Sequence, residues 1–391
     1  MNAHEHTTKV VVVGGGYAGV LAANRLRVNR DVTVTLVNPR PQFVERIRLH
    51  QYVTESDDAV VDFSDVLSGD VDLVVDTAEL VDPAARTVTL ASGEVLGYDY
   101  LVYALGSTGA ATTVPGAAEF AYPIAEFEHA EPLRAALARV HPAAPVVVVG
   151  GGPTGLEVAA ELAEGGQAVT IVCGGVLGPY FGEATRRAVA RRMRRLGVTV
   201  VAGAGATVAE VRRDSVVLAD GRQLPSVVTI WTAGFGVPDL AMRSGLATDE
   251  IGRLLTDETL TSIDDSRVIG AGDAVAPSNA PLRMSCQAAI PLGAQAADTV
   301  LSRIAGGEPA AVDQAFTGQC VSLGRKAGVI QIAHLDDRPT RLFLGGRVAA
   351  AIKEAVCKGT VWQLGLEARK PGSYVWLKGG KRAERVVAAV R

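Results

Sequence analysis

The stretch "VVVVGGGYAGVLAANRL", residues 10–26, decides the fold. Its four valines read as a short buried strand that glycine ends. Gly14, Gly16 and Gly19 follow with GxGxxG spacing, and Ala18 to Arg27 continues with helical periodicity. "DVTVTLVNPR", residues 31–40, reads as a second strand. Strand, glycine turn, helix and strand within about 30 residues make a β-α-β unit. In that setting the first glycine permits the tight turn. The second lets the backbone approach a pyrophosphate, and the third lets the helix pack close on the sheet. Tyr17 and Ala18 stand in the first turn of that helix, whose free N–H groups face the phosphates.

The device returns at "VVVVGGGPTGLEVAAELAE", residues 146–164, where Gly150, Gly152 and Gly155 repeat the cradle. A third signature, "SRVIGAGDAVA", residues 266–276, puts Asp273 after an apolar strand and a Gly-x-Gly turn. An acid usually ends the second strand of such a unit and binds ribose hydroxyls. In the first unit that place holds Asn38, which can hydrogen-bond a ribose. Arg40, next but one, can lie along an adenine or reach a phosphate. In the second unit the place holds Cys173 and two glycines. Neither the acid that suits NADH nor the nearby basic residues that suit NADPH are there. Three readings stay open: binding through phosphates and nicotinamide alone, a 2′-phosphate reached by the arginines at 186–195, or a vestigial site.

The chain has 391 residues, 48% hydrophobic and 20% charged, with a net charge of -4, as befits a globular protein of two or three domains. That balance speaks against a nucleic-acid partner, which favours a basic domain or stripe. "MNAHEHTTK" has no cationic stretch leading into a long apolar core, so the expected location is cytoplasmic. Cys173, Cys286, Cys320 and Cys357 lie far apart without a CxxC pair. This excludes the usual redox dithiol and zinc-knuckle spacings, and no metal is expected.

Two glycine motifs and a late Gly-Asp resemble the two-dinucleotide-binding flavoproteins, over about residues 8–305. The resemblance implies that the first motif binds FAD, the second binds NADH or NADPH, and Asp273 holds a ribityl hydroxyl of FAD. "YDYLVYALGS", residues 98–107, resembles the family's middle motif, with Ala104 and Gly106 matching and Leu105 in place of Thr. Ala78 and Gly234 are carried with them as cofactor contacts. "GGGPTGLEVAAELAE" and "TIWTAGF" are similar to type II NADH dehydrogenases and their relatives, which include apoptosis-inducing factor and sulfide:quinone reductases. "CQAAIPLG", residues 286–293, resembles the AQxAxQxG stretch of the type II enzymes. Gln287, Ala289 and Gly293 match. Cys286 replaces Ala, and Pro291 replaces the second Gln, which lies near the quinone in those enzymes.

A helix starting at 286, with Ser285 as N-cap, would aim its N-terminus at charge developing on a flavin. Pro291 is expected to kink it. Glu157, two residues past the second cradle, suits the helix dipole. The resemblance implies proton handling there, so Glu157 is the leading catalytic carboxylate; Glu161 reads as structural. In "QFVERIRLHQYV", residues 42–53, Arg46, Arg48 and His50 are spaced two apart and share a face if the chain is extended. The arginines would then offset cofactor charge, and His50 would donate a proton. His50 and Gln287 join Glu157 as candidate catalytic residues.

The expected fold class is α/β: two Rossmann-type, three-layer dinucleotide-binding domains and a small α+β C-terminal domain. An FAD domain spans 1–111 and 252–315, a NAD(P)H domain spans 112–251, and the C-terminal domain spans 316–391. In the last segment aromatics such as Trp362, Tyr374 and Trp376 interleave with Lys358, Arg369, Lys370 and Lys378. This leaves open a peripheral contact on the inner face of the membrane, a cap over the flavin site or a homodimer surface. The expected function is hydride transfer from NAD(P)H to FAD, with electrons passed to a quinone or other small acceptor. Alternatives are a flavin oxidase or dehydrogenase acting on a small organic substrate, and a non-enzymatic flavin redox sensor.

Overall fold

In the computed structural model, which describes residues 7–389, the two glycine motifs stand at the centres of two similar parallel sheets. The first sheet begins with β1 (Thr8–Val13), α1 (Tyr17–Leu26) and β2 (Val32–Asn38). A 3-10 turn (Arg46–Arg48) runs into α2 (Leu49–Val53), and β3 (Asp72–Val75) follows. An antiparallel sheet, β4 (Ala78–Asp82), β5 (Thr87–Leu90) and β6 (Val95–Gly97), then leads to β7 (Tyr100–Tyr103).

The second sheet comes from the middle of the chain. It uses β8 (Ala121–Pro123), α3 (Phe127–Leu137), β9 (Pro145–Val149), α4 (Pro153–Glu164) and β10 (Ala168–Val172). Then come α5 (Glu183–Arg195), β11 (Thr199–Val201), the antiparallel β12 (Val208–Val211), β13 (Ser215–Leu218) and β14 (Gln223–Pro225), and β15 (Val228–Trp231). The chain returns to the first sheet with β16 (Val268–Gly270) and α6 (Cys286–Ile304). The first order is β16-β7-β1-β2-β3 and the second is β8-β15-β9-β10-β11, with every pairing parallel.

The valine runs explain the layers. Side chains alternate across a strand. Val10 and Val12 therefore pack with α1 and α6 on one face of the first sheet. Val11 and Val13 pack with Val81, Val88 and Leu90 of the antiparallel sheet on the other. In the second sheet Val146 and Val148 meet α4 and α5, while Val147 and Val149 meet Val208, Val216 and Leu218. Each parallel sheet is thus buried on both faces, which is why its strands read as unbroken apolar runs.

The C-terminal part joins both halves. The antiparallel β17 (Gly318–Ser322), β18 (Gly328–Ala333) and β19 (Pro339–Gly345) place Val321 and Val329 in the second core. The long α7 (Gly346–Arg369) places Leu364 in the first. A short α8 (Arg382–Ala389) follows. Pro291 does not end α6, which continues to Ile304. Proline removes the N–H that would bond four residues back; the Gln287 carbonyl accepts a side-chain N–H from Gln314 instead, at 3.5 Å.

Candidate functional site

Both cradles exclude side chains for the same reasons. Gly14 and Gly150 adopt φ of +105° and +123°, and a Cβ on either would strike Ala104 or Thr232. A Cβ on Gly19 or Gly155 would overlap the carbonyl of the first glycine of its own motif. Gly16, by contrast, faces open space, and the nearest atom to a Cβ on Gly152 is Tyr180 at 4.0 Å. Each turn is closed on its sheet side and open at its helix N-terminus, the shape a pyrophosphate requires.

One cavity of about 900 Å³ joins the two halves. Tyr17, Arg46, Ser107 and Asp273 line it from the first; Pro153, Thr154, Glu157 and Phe235 line it from the second. Asp273 is held by the Ser107 hydroxyl at 2.8 Å and the Ser285 amide at 3.2 Å. Burial raises its pKa, and the Ser107 bond opposes that rise. Ser285 caps α6, its Oγ accepting the Ala288 N–H at 3.3 Å. Arg46 donates to the Ser107 carbonyl at 2.6 Å and the Ala125 carbonyl at 3.0 Å. The Tyr17 hydroxyl is buried in this cavity without a hydrogen-bond partner. A closed-and-open cradle, an anchored carboxylate and an orphaned hydroxyl fit a dinucleotide whose ring end lies in the cavity.

The remaining candidate residues fall in different places. Ala18 packs against Gly272 and Gly293, where it lets α1 and α6 approach. Asn38 ends β2, accepting the Gly15 N–H at 3.0 Å and donating to the Arg40 carbonyl at 2.7 Å. Its amide therefore braces the first cradle. Arg40 points outside the cavity and pairs with Glu128, with Nη2 to Oε2 at 2.6 Å. Ala78 is buried with Val11, Val13 and Val37, away from the cavity. Ala104 walls the first cradle, Gly106 has a φ of +70° beside Arg46, and Gly234 lies against Ala110. The amide end of Gln287 faces the cavity, 2.7 Å from the Thr317 hydroxyl.

Arg46, Arg48 and His50 do not share a face. Their segment is the 3-10 turn and α2, not an extended chain. At about 100° per residue, positions two apart point nearly opposite ways and positions four apart coincide. Arg46 and His50 line the cavity, while Arg48 turns away to Gln51 at 2.8 Å and Glu354 at 3.0 Å.

His50 lies between two carboxylates of α4. Its Nδ1 is 3.6 Å from Glu157 Oε2 and its Nε2 is 3.6 Å from Glu161 Oε1. Glu157 Oε1 accepts the Ser322 N–H at 3.0 Å and stands 3.4 Å from Lys353 Nζ. Burial lowers the His50 pKa and the two carboxylates restore only part of it, so the imidazole is neutral. Burial alone would also lower the Lys353 pKa. The facing Glu157 carboxylate, together with the neighbouring Cys357, Cys320 and Cys286, outweighs it and keeps the ammonium charged. Cys286 and Cys320 line the same cavity, and burial raises both thiol pKa values.

Lys353, Cys320 and Val375 did not stand out in the sequence as parts of the site, whereas Tyr374 belongs to the segment for which a cap was left open. The available signal was spacing. Ala349, Lys353, Cys357, Thr360, Leu364 and Glu367 recur every three or four residues along α7, and all are buried. Cys173 directly follows β10 beside Gly151, outside the cavity, and burial pushes its thiol up to about 11.

Residues 8–293 match the model of the pyridine nucleotide-disulphide oxidoreductase family. An NADH dehydrogenase-like protein of Mycobacterium tuberculosis is 31% identical over 326 residues, covering 75% of this chain and 80% of its own. The solved sulfide:quinone oxidoreductase of Aquifex aeolicus superposes with a TM-score of 0.80 over 93% of both chains, at 21% identity. An NDH2 from Plasmodium falciparum, solved with NADH, gives a TM-score of 0.73 at 16% identity over 94% of this chain and 99% of its own. These last two are likenesses of fold. The chain belongs to the pyridine nucleotide-disulphide oxidoreductase family and is an FAD-dependent oxidoreductase that uses NADH or NADPH.

Proposed function

We propose that the chain is an NAD(P)H dehydrogenase that passes electrons to a quinone or a similar small, apolar acceptor. The observation that carries this reading is that one cavity is lined by the helix starts that follow both glycine cradles, Tyr17 from the first and Pro153 and Thr154 from the second. Bound FAD supplies the redox chemistry, accepting a hydride and passing electrons on. The protein's part is to hold donor and cofactor in contact and to manage protons. The first cradle and Asp273 would hold the FAD. Gly150, Gly152, Gly155 and the cavity wall at Pro153, Thr154, Tyr180 and Phe235 would hold the nicotinamide donor. Glu157 and His50 are proposed as proton-handling groups beside them. Gln287, Cys286 and Pro291 are proposed to line the acceptor end of the same cavity.

The far wall supports an apolar acceptor. Ile352, Val356, Val375 and Leu377 line the cavity and are also exposed, Val375 at 82% and Leu377 at 50%. Lys358 and Lys378 flank them. An apolar rim edged by lysines suits a lipophilic substrate drawn from an anionic bilayer surface. Among the described residues no helix is long and apolar enough to cross a membrane, so such contact would be peripheral. The test is NADH oxidation by the FAD-loaded protein with a short-chain quinone. Quinone-dependent oxidation supports the reading; none with either NADH or NADPH contradicts it.

A further inference from the structure

We propose that Glu161 and His50 form a proton relay that carries solvent protons through the protein wall to Glu157 and Lys353 at the cavity. This deepens, and rests on, the reading of the chain as an NAD(P)H:quinone dehydrogenase. The need follows from the balance. NADH + quinone + H⁺ gives NAD⁺ + quinol: the hydride brings two electrons and one hydrogen, and solvent must bring the second proton. The side of the mouth at Ile352, Val356, Val375 and Leu377 is a poor proton route, because it is apolar and an apolar acceptor would fill it.

The opposite wall holds a continuous line of polar groups. Ser56 is exposed, and its hydroxyl lies 3.3 Å from Glu161 Oε2. Thr54 Oγ1 is 2.9 Å from the same oxygen. The other oxygen of Glu161 is 3.6 Å from His50 Nε2, and the far nitrogen of His50 is 3.6 Å from Glu157. Glu157 in turn stands 3.4 Å from Lys353. Glu161 is 6% exposed and does not line the cavity, whereas His50, Glu157 and Lys353 do. The line therefore runs from solvent to the cavity through Ser56, Glu161, His50, Glu157 and Lys353.

Two of its atoms carry the argument further. His50 Nε2 and Glu161 Oε1 are both buried without a hydrogen-bond partner, and they face each other. A buried orphan costs about 1–3 kcal/mol, and a facing pair of orphans is satisfied when a proton lies between them. Imidazole can take a proton at one nitrogen and release one from the other, so His50 joins two carboxylates that have no direct bond. The charged groups around it are Glu157 and Glu161 from α4, Lys353 from α7, and Arg325 from the β17–β18 turn, 3.7 Å from Glu161. Lys353 and Arg325 bracket the line with positive charge at its two ends. A proton in transit is therefore not trapped on a bare pair of carboxylates.

The test compares two acceptors with the FAD-loaded protein. Ferricyanide takes electrons only; menadione, a soluble quinone, takes electrons and protons. In Glu161→Gln and His50→Gln the ratio of menadione to ferricyanide turnover should fall about a hundredfold, the low end for losing a positioned proton-transfer group. The solvent isotope effect on menadione turnover should rise with it. A purely structural defect lowers both rates and leaves the ratio alone. A wild-type ratio and isotope effect in both variants would overturn the relay. A wild type that reduces ferricyanide but not menadione overturns the quinone acceptor and the relay with it, and leaves only NAD(P)H oxidation standing. A wild type that oxidises NAD(P)H with neither acceptor overturns both.

Discussion

Lys353 Nζ stands 3.4 Å from Glu157 Oε1, and both side chains are at most 9% exposed. The two residues come from α7 and α4, so the pair ties the C-terminal helix to the second glycine motif. Removing one partner leaves the other charge buried and alone, at a cost of about 3–5 kcal/mol. Lys353→Met should therefore lower the unfolding free energy by about that much, read from urea denaturation. Lys353→Met with Glu157→Gln together should recover a good part of the loss. Equal losses in single and double variants would show that the pair is not coupled.

The two cradles should fail independently. Gly19→Ala places a methyl on the Gly14 carbonyl, and Gly155→Ala does the same to Gly150. The first variant should purify without yellow colour and take up no FAD. The second should keep FAD, with the KM for the nicotinamide donor raised about tenfold or more, equal to about 1.4 kcal/mol of lost binding. Flavin content by absorbance and steady-state kinetics distinguish them.

Cys173 occupies the place where a carboxylate would accept bonds from the ribose hydroxyls. Cys173→Asp should raise the NADH over NADPH ratio of kcat/KM about tenfold, since the new charge favours the free hydroxyls and repels a 2′-phosphate. An unchanged ratio would mean that the adenosine end does not reach this strand.

His50 gives stability a defined acid dependence. Its folded pKa lies below the ordinary value of about 6.5, so between the two the unfolded chain binds the extra proton. Stability therefore falls as pH drops below about 6.5, by at most about 1.4 kcal/mol per pH unit, until the folded pKa is passed. His50→Gln should flatten that part of a stability–pH curve measured by thermal melting.

Both glycine motifs, their strands and the return to the first sheet at 268–270 were legible because local rules agree there. Apolar runs, forced turns and helix starts all point one way. The charge cluster was not legible. Lys353 stands beside Glu354 in α7, and a lysine in a helix ordinarily marks a wet face. Only the tertiary packing of α7 against both halves turns that face inward. The spacing of Arg46, Arg48 and His50 misled for a related reason. Period two means a shared face only in a strand, and "ERIRLHQYV" has no residue that forbids a helix. The carbonyl left by Pro291 is met by Gln314, a partner 23 residues past it that no local rule supplies.

The rim at Val375 and Leu377 should matter to apolar acceptors alone. Val375→Asp puts a charge beside the cavity mouth without disturbing buried structure, since Val375 is 82% exposed. The KM for a long-chain quinone in vesicles should rise, while that for ferricyanide should not. Equal effects on both would remove the rim from the acceptor's path.

The most direct measurement is an anaerobic titration of the FAD-loaded protein with NADH and then NADPH, following the flavin's visible absorbance band. Rapid bleaching by at least one donor is the predicted result, because the helix starts after both cradles line one cavity. A band that persists with both donors would contradict the account at its centre.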